Sequence, residues 1–178
     1  VEPDLSLLIC GGGTDAVPLA RLAAGLGWRV TVADHRPLVL GRGEFAPARM
    51  VDCPDPYRLG EQVVLSPRTC AVVMSHDRAR DSGYLGALLS AGVGYVGLLG
   101  PRARADRLLG DHSCSAAFAW TVFGPAGLDL GGEGPEAIAV SIVAEILAVT
   151  RGRSGGHLRD RAGPIHDRAA TARVGRTP

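Results

Sequence analysis

Lysine is absent: all 19 basic residues of this 178-residue chain are arginine. That removes Schiff-base chemistry on a lysine amine. It also removes the Walker phosphate loop, whose lysine reaches the outer phosphates of a nucleotide. Charge of either sign is scarce in net terms. The balance is +1, which argues against an electrostatically driven nucleic-acid binder. Cysteine is sparse and scattered: Cys10, Cys53, Cys70 and Cys114, with no C-x-x-C pair. This excludes a disulfide framework, and a reducing cytoplasm is the expected compartment. Cys114 has His112 nearby, but two possible ligands do not make a zinc site, and no metal is expected. Long apolar runs and a leader-like start are missing as well, so no membrane partner is expected. The first residue is Val rather than Met, and the chain reads as a fragment or a processed product.

What is present begins at residues 5–36. Residues 5–10 (LSLLIC) form a short apolar run suited to a buried parallel strand. Gly11-Gly12-Gly13 follow at once. Residues 15–26 then carry Val17, Leu19, Ala20, Leu22, Ala23 and Leu26 at helical spacing, ended by Gly27. Residues 29–33 (RVTVA) read as a second strand with Asp34 at its end, 23 positions after Gly11. Strand, glycine turn, helix, strand and acidic residue together make the dinucleotide fingerprint, here Gly11-x-Gly13-x-x-Ala16. Gly11 permits a tight turn, Gly13 lets a phosphate approach the backbone, and Ala16 lets the helix lie close to the strand. The free amides at the helix start, with Gly12 and Thr14 in the turn, face an anion. Asp34 is placed to accept hydrogen bonds from a ribose diol, and Arg36 to meet a 2′-phosphate. Asp15 is two-sided: it either caps the helix or repels a pyrophosphate.

One α/β domain is expected over residues 1–152. It is a Rossmann-like, doubly wound, mostly parallel sheet with helices on both faces. Residues 38–56 read as irregular structure around an edge strand at 49–52. Further strands are expected at 69–75, 94–99 and 115–122, with helices at 80–91 and from Pro101 onward. Residues 135–150 give the clearest helix: Pro135 suits its first position, Glu136 its dipole, and Gly152 follows its end. It is apolar on nearly every face, so it is expected to be buried on more than one side, under a second layer or in a homodimer contact. Residues 153–178 form a basic, extended tail in which His157 and His166 have nothing to orient them.

In an open parallel sheet a ligand lies beyond the carboxyl ends of the strands, where strand order reverses. With the order 3-2-1-4-5-6, Gly11 to Thr14 and Ser75-His76-Asp77 flank one crevice there. Gly100 and Arg102 are expected beside it, and the glycine-rich loop holding Asp129 and Glu133 is placed to close it. Each has a plainer reading. Ser75-His76-Asp77 also suits a helix cap, and His76 is read as lining the pocket rather than catalysing. Arg102 and Arg104 suit either a bidentate phosphate grip or a solvated helix start. No catalytic residue is assigned.

Several separated stretches resemble the C-terminal domain of the XdhC/CoxI family. They are residues 9–13 (ICGGG), 29–37 (RVTVADHRP), 72–77 (VVMSHD), 95–102 (YVGLLGPR), 127–139 (GLDLGGEGPEAIA) and 158–166 (LRDRAGPIH). The resemblance implies an accessory factor for maturing xanthine dehydrogenase and related molybdenum hydroxylases. Such a factor holds the molybdenum cofactor (molybdopterin), allows its sulfuration by a cysteine desulfurase, and delivers it to the hydroxylase apoenzyme. The cofactor's phosphate would occupy the helix-terminus site. The chain departs from the family pattern at Thr14, where the glycine turn usually continues with histidine, and at Pro101, where serine is usual. The alternatives from the residues alone are an NAD(P)-binding oxidoreductase domain and a nucleotide-sensing regulatory module.

Overall fold

The structure, a computed structural model, describes residues 5–112, 120–163 and 165. Twelve helices and strands alternate through them. They run β1 (Ser6–Cys10), α1 (Ala16–Gly25), β2 (Arg29–Asp34), α2 (Pro37–Leu40), β3 (Arg49–Asp52) and α3 (Leu59–Gln62). Then come β4 (Thr69–Val73), α4 (Arg78–Ser90), β5 (Tyr95–Leu98), α5 (Arg102–Asp111), β6 (Val122–Phe123) and α6 (Pro135–Thr150). The six strands form one sheet in the order β3-β2-β1-β4-β5-β6, every pair parallel. The architecture is the Rossmann-like doubly wound fold that the glycine turn and its flanking periods imply.

Strand geometry sends alternate side chains to opposite faces, and the core divides accordingly. Leu7 and Ile9 of β1, Val32 of β2 and Val72 of β4 face α1 and α6. Leu8 and Cys10, Ala33, and Ala71 and Val73 face α3, α4 and α5. Ala16, Ala20 and Ala23 are buried along α1, and small residues there let α6 lie close against it. Gly27, at φ +80°, takes the left-handed conformation that ends the turn after α1.

Helix α4 starts at Arg78, ahead of the expected 80, because the Asp77 carboxylate caps it, accepting from the amides of Ala79 (2.9 Å) and Arg80 (3.1 Å). The stretch before the edge strand is more ordered than expected: it holds α2 and a 3-10 turn whose Phe45 is buried. The last strand is Val122–Phe123; residues 113–119 of the expected strand, with Cys114, lie outside the described residues. So do His166 and most of the expected tail. Described residues 153–163 are largely exposed, with one 3-10 turn at Leu158–Asp160.

Helix α6 buries Ala139, Ile142, Val143, Ile146 and Ala148, but only one side is covered. Val140, on the outer side, is 48% exposed. No helix among the described residues is long and apolar enough to cross a membrane.

One carboxylate is buried within this apolar helix. Glu145 is buried, and its Oε1 accepts from the Tyr95 hydroxyl (2.7 Å) and the Gly127 amide (2.9 Å). It ties α6 to β5 and to the loop after β6. Glu145→Leu would leave both donors buried without an acceptor, and is expected to cost about 2–4 kcal/mol. Glu145→Gln, which keeps a carbonyl oxygen, should cost less than half of that. Urea midpoints of the three proteins decide it; equal losses for the two variants would show that the hydrogen bonds are not what Glu145 contributes.

Candidate functional site

The site begins where β1 ends. Gly11 has φ +110°, and a Cβ on it would stand 2.5 Å from the Ser75 Cα. Its amide donates to Ala33 O at 2.9 Å, and the Met74 amide donates to Cys10 O at 2.9 Å. The exits of β1 and β4 therefore lie in contact. From there the chain diverges: α1 packs on one face of the sheet and α4 on the other. This is the topological switch point, and the crevice it opens lies beyond the carboxyl ends of the strands.

The next residue fixes the turn. The Gly12 amide donates to Asp34 Oδ2 at 2.7 Å. Asp34 Oδ2 also accepts from Arg36 Nη2 (2.8 Å), and Oδ1 accepts from the Arg36 backbone amide (2.9 Å) and Arg36 Nε (3.0 Å). A carboxylate offers about four lone-pair sites, and four donors meet them here. Asp34 is 2% exposed. Burial pushes its pKa up, but the Arg36 side chain and the Gly12 and Arg36 amides outweigh that and hold the carboxyl well below its usual range. The expected diol acceptor is thus a structural carboxylate whose acceptor sites are taken.

The amides of Gly13, Thr14 and Asp15 precede the first hydrogen-bonded turn of α1 and donate to nothing among the described residues. They are the orphan donors of a helix start. The Asp15 side chain does not cap the helix, which corrects one expectation. It pairs instead with His76 Nε2 at 2.7 Å. His76, at φ +61°, is turned back from the exit of β4 toward α1.

A cavity of about 410 Å³ opens over these groups. Of the expected residues it gathers Gly12, Gly13, Thr14, Arg36 and His76, and it adds Asp15, Val39 and Arg42. Gly11 and Asp34 support it from beneath. The other expected residues are elsewhere. Ser75 Oγ donates to Asp81 Oδ1 at 2.5 Å, and Asp77 caps α4. Gly100, at φ +114°, lies against the Arg104 side chain. Arg104 itself pairs with the buried Asp81 and does not line the crevice, so it is not a solvated helix start. That pairing satisfies a charge which burial would otherwise make costly. Arg102, Asp129 and Glu133 are exposed and do not line the crevice. Arg42 was missed: it stands in a stretch rich in Gly, Pro and Arg, where no local pattern marks one arginine from another.

A wider depression of about 1080 Å³, lined by Arg29, Arg49 and Arg68 among others, lies at the amino ends of the strands. It carries none of the expected residues, and a parallel sheet offers its loop and helix-terminus donors at the other end. Cysteine chemistry finds no place in the described residues: Cys10, Cys53 and Cys70 are buried. Burial raises the Cys70 thiol to about 11 and puts Cys10 well above the ordinary range. No group of three metal-ligating side chains occurs among the described residues.

Comparison with known proteins gives a consistent set of relatives. A family model described as the XdhC Rossmann domain matches residues 7–146. The chain is 38% identical over 147 residues to a Bacillus subtilis protein named as a probable xanthine dehydrogenase subunit, covering 83% of this chain and 43% of that protein. It is 26% identical over 154 residues to the uncharacterized protein YqeB of Escherichia coli, covering 84% of this chain and 28% of that protein. A solved structure titled as a xanthine dehydrogenase from Bacillus halodurans superposes with a TM-score of 0.76 at 30% identity, covering 84% of this chain and 45% of that one. The chain thus spans less than half the length of these relatives.

The Asp34 cluster makes a pH-dependent contribution to stability. The folded pKa lies below the unfolded value of about 3.9, so the stabilisation is complete above that value and fades as pH falls toward the folded one. Arg36→Ala should therefore cost on the order of 2–3 kcal/mol at pH 7 and progressively less below about pH 4. Urea midpoints of both proteins at pH 7 and pH 3 test this. A gap that does not narrow in acid would mean that Arg36 acts by something other than its bond to the carboxylate.

Proposed function

The chain belongs to the XdhC family through its Rossmann domain, and from that membership we propose that it serves the maturation of xanthine dehydrogenase-type molybdenum hydroxylases. In this role it binds the molybdenum cofactor by its phosphate and presents it to the apoenzyme, with a cysteine desulfurase as the second partner. The observation that carries the reading is the set of free amides at Gly13, Thr14 and Asp15, opening into a crevice bordered by Arg36 and Arg42. Backbone donors at a helix start and guanidinium groups both recognise phosphate.

The fit extends to the phosphate and stops there. The described residues offer no ligand set for the metal, and their cysteines are buried. In full-length assemblies the metal-bearing end would be held by a group outside the described residues. The cofactor, when bound, supplies the oxygen-transfer chemistry of the client enzyme. This chain's residues orient the phosphate. Among the described residues Asp15 is the only carboxylate lining the crevice; its Oδ2 pairs with His76, and its Oδ1 lies against Gly13, 2.6 Å from where a Cβ would stand, so a phosphate reaching these amides must turn that side chain aside.

A second reading, an NAD(P)-binding oxidoreductase domain, draws on the same turn and on the strand order. Against its NAD form, Asp34 has the acceptor sites that a ribose diol would need occupied. His76 is the one titratable ring lining the crevice among the described residues, and it is already paired with Asp15.

Thermal shifts of the purified chain with molybdopterin, NADH, NADPH and CTP separate the readings. A shift with the pterin is expected, and Gly13→Val is expected to abolish it without lowering the melting temperature of the free protein. A Cβ at Gly13 would meet the end of the Asp15 side chain at 2.6 Å and the His76 ring at 3.8 Å, both lining the crevice, rather than the core. Pterin binding that survives Gly13→Val would remove the turn from the site, and hydride transfer from NADH to a dye would favour the oxidoreductase.

A further inference from the structure

The crevice has two walls of different chemistry. One is the amide turn before α1. The other is α2, a single helical turn fastened to the glycine turn by Val39: a Cβ on Gly12 would stand 2.4 Å from Val39 Cγ1. Val39 is buried, so α2 is held in place rather than hinged. An arginine stands at each end of it. Arg36 is its N-cap residue, and Arg42 follows its last turn and the Gly41 C-cap.

In a dinucleotide fold the acidic residue ending β2 recognises a ribose by accepting from its two hydroxyls. Here that residue is Asp34, and its four acceptor positions are filled by Gly12 and Arg36. A diol would have to displace a bidentate guanidinium from a buried carboxylate. What this wall turns outward instead is cationic. Arg36 uses two of its five N–H donors on Asp34, and its side chain is 46% exposed. Arg42 is exposed and lines the same crevice, and its side chain, unlike its backbone amide on Val39 O, meets no acceptor among the described residues. Among those residues no carboxylate other than the His76-paired Asp15 borders the cavity.

We propose that this crevice selects a nucleotide whose ribose carries a phosphate, seated between Arg36 and Arg42, and rejects the free diol. Asp34 then acts as a positioning residue: it fixes the guanidinium of Arg36 in the plane that a phosphate meets. The inference rests on the reading of the crevice as a phosphate site, and not on the pterin.

Isothermal titration of the chain with adenosine 2′,5′-bisphosphate and with 5′-AMP tests it. The bisphosphate is expected to bind at least about tenfold tighter, the equivalent of about 1.4 kcal/mol. Arg42→Ala, an exposed change that should leave the urea midpoint alone, is expected to bring the two affinities within about threefold by weakening only the bisphosphate. Arg36→Ala frees Asp34 and should turn the preference toward 5′-AMP. Equal affinities in the parent chain, or no binding of either probe at millimolar concentration, overturns the inference. A pterin shift without a bisphosphate preference would overturn it while leaving the proposed function standing. A bisphosphate preference without a pterin shift would do the reverse.

Discussion

The Asp34 carboxylate organises the carboxyl edge of the sheet. It terminates β2, takes the Gly12 amide from the loop after β1, and takes three donors from Arg36 at the start of α2. Three segments of the chain are thereby fixed to one buried charge. A carboxylate in that position is stable only while its lone pairs are met, because an unpaired buried charge is severely penalised. The geometry of the glycine turn and the seat of α2 are therefore two aspects of one constraint.

The acidic groups around the crevice follow a common pattern. Asp34 is taken by Gly12 and Arg36, and Asp15 by His76. Asp77 accepts from the first amides of α4, and Asp81 from Ser75 and Arg104. Each of these negative groups is committed to a donor inside the protein. What remains uncommitted is positive or donating: the amides of Gly13 to Asp15, the outer edge of Arg36, and Arg42. That asymmetry is what suits the crevice to the anion proposed for it, although the chain as a whole is close to neutral.

Family membership and site chemistry bear on different questions. The chain's family is that of the XdhC Rossmann domain, and two of its relatives are named as xanthine dehydrogenases. The crevice bears on the proposed phosphate contact, and among the described residues no group of three metal-ligating side chains accompanies it. The chain spans less than half of those relatives, and the proposed role asks of it only the phosphate end of the cofactor.

The sequence by itself determined the frame. Short apolar runs at β1, β2 and β4, helical spacing in α1 and a helix-length stretch apolar on nearly every face at α6 were enough for the fold, because backbone hydrogen bonding and burial act over a few neighbouring residues. Gly11 could be read as a tight turn for the same local reason. The partners of the charged residues were decided only in three dimensions. Asp34 looked like a free diol acceptor, yet Gly12, 22 positions earlier, and Arg36 fill it. Asp15 looked like a cap, yet it pairs with His76, 61 positions away. Arg42 carried no mark at all until α2 was seated against Gly12 by Val39. Hydrogen bonds between side chains need only ångström proximity, and that is set by how helices and strands pack, not by spacing along the chain.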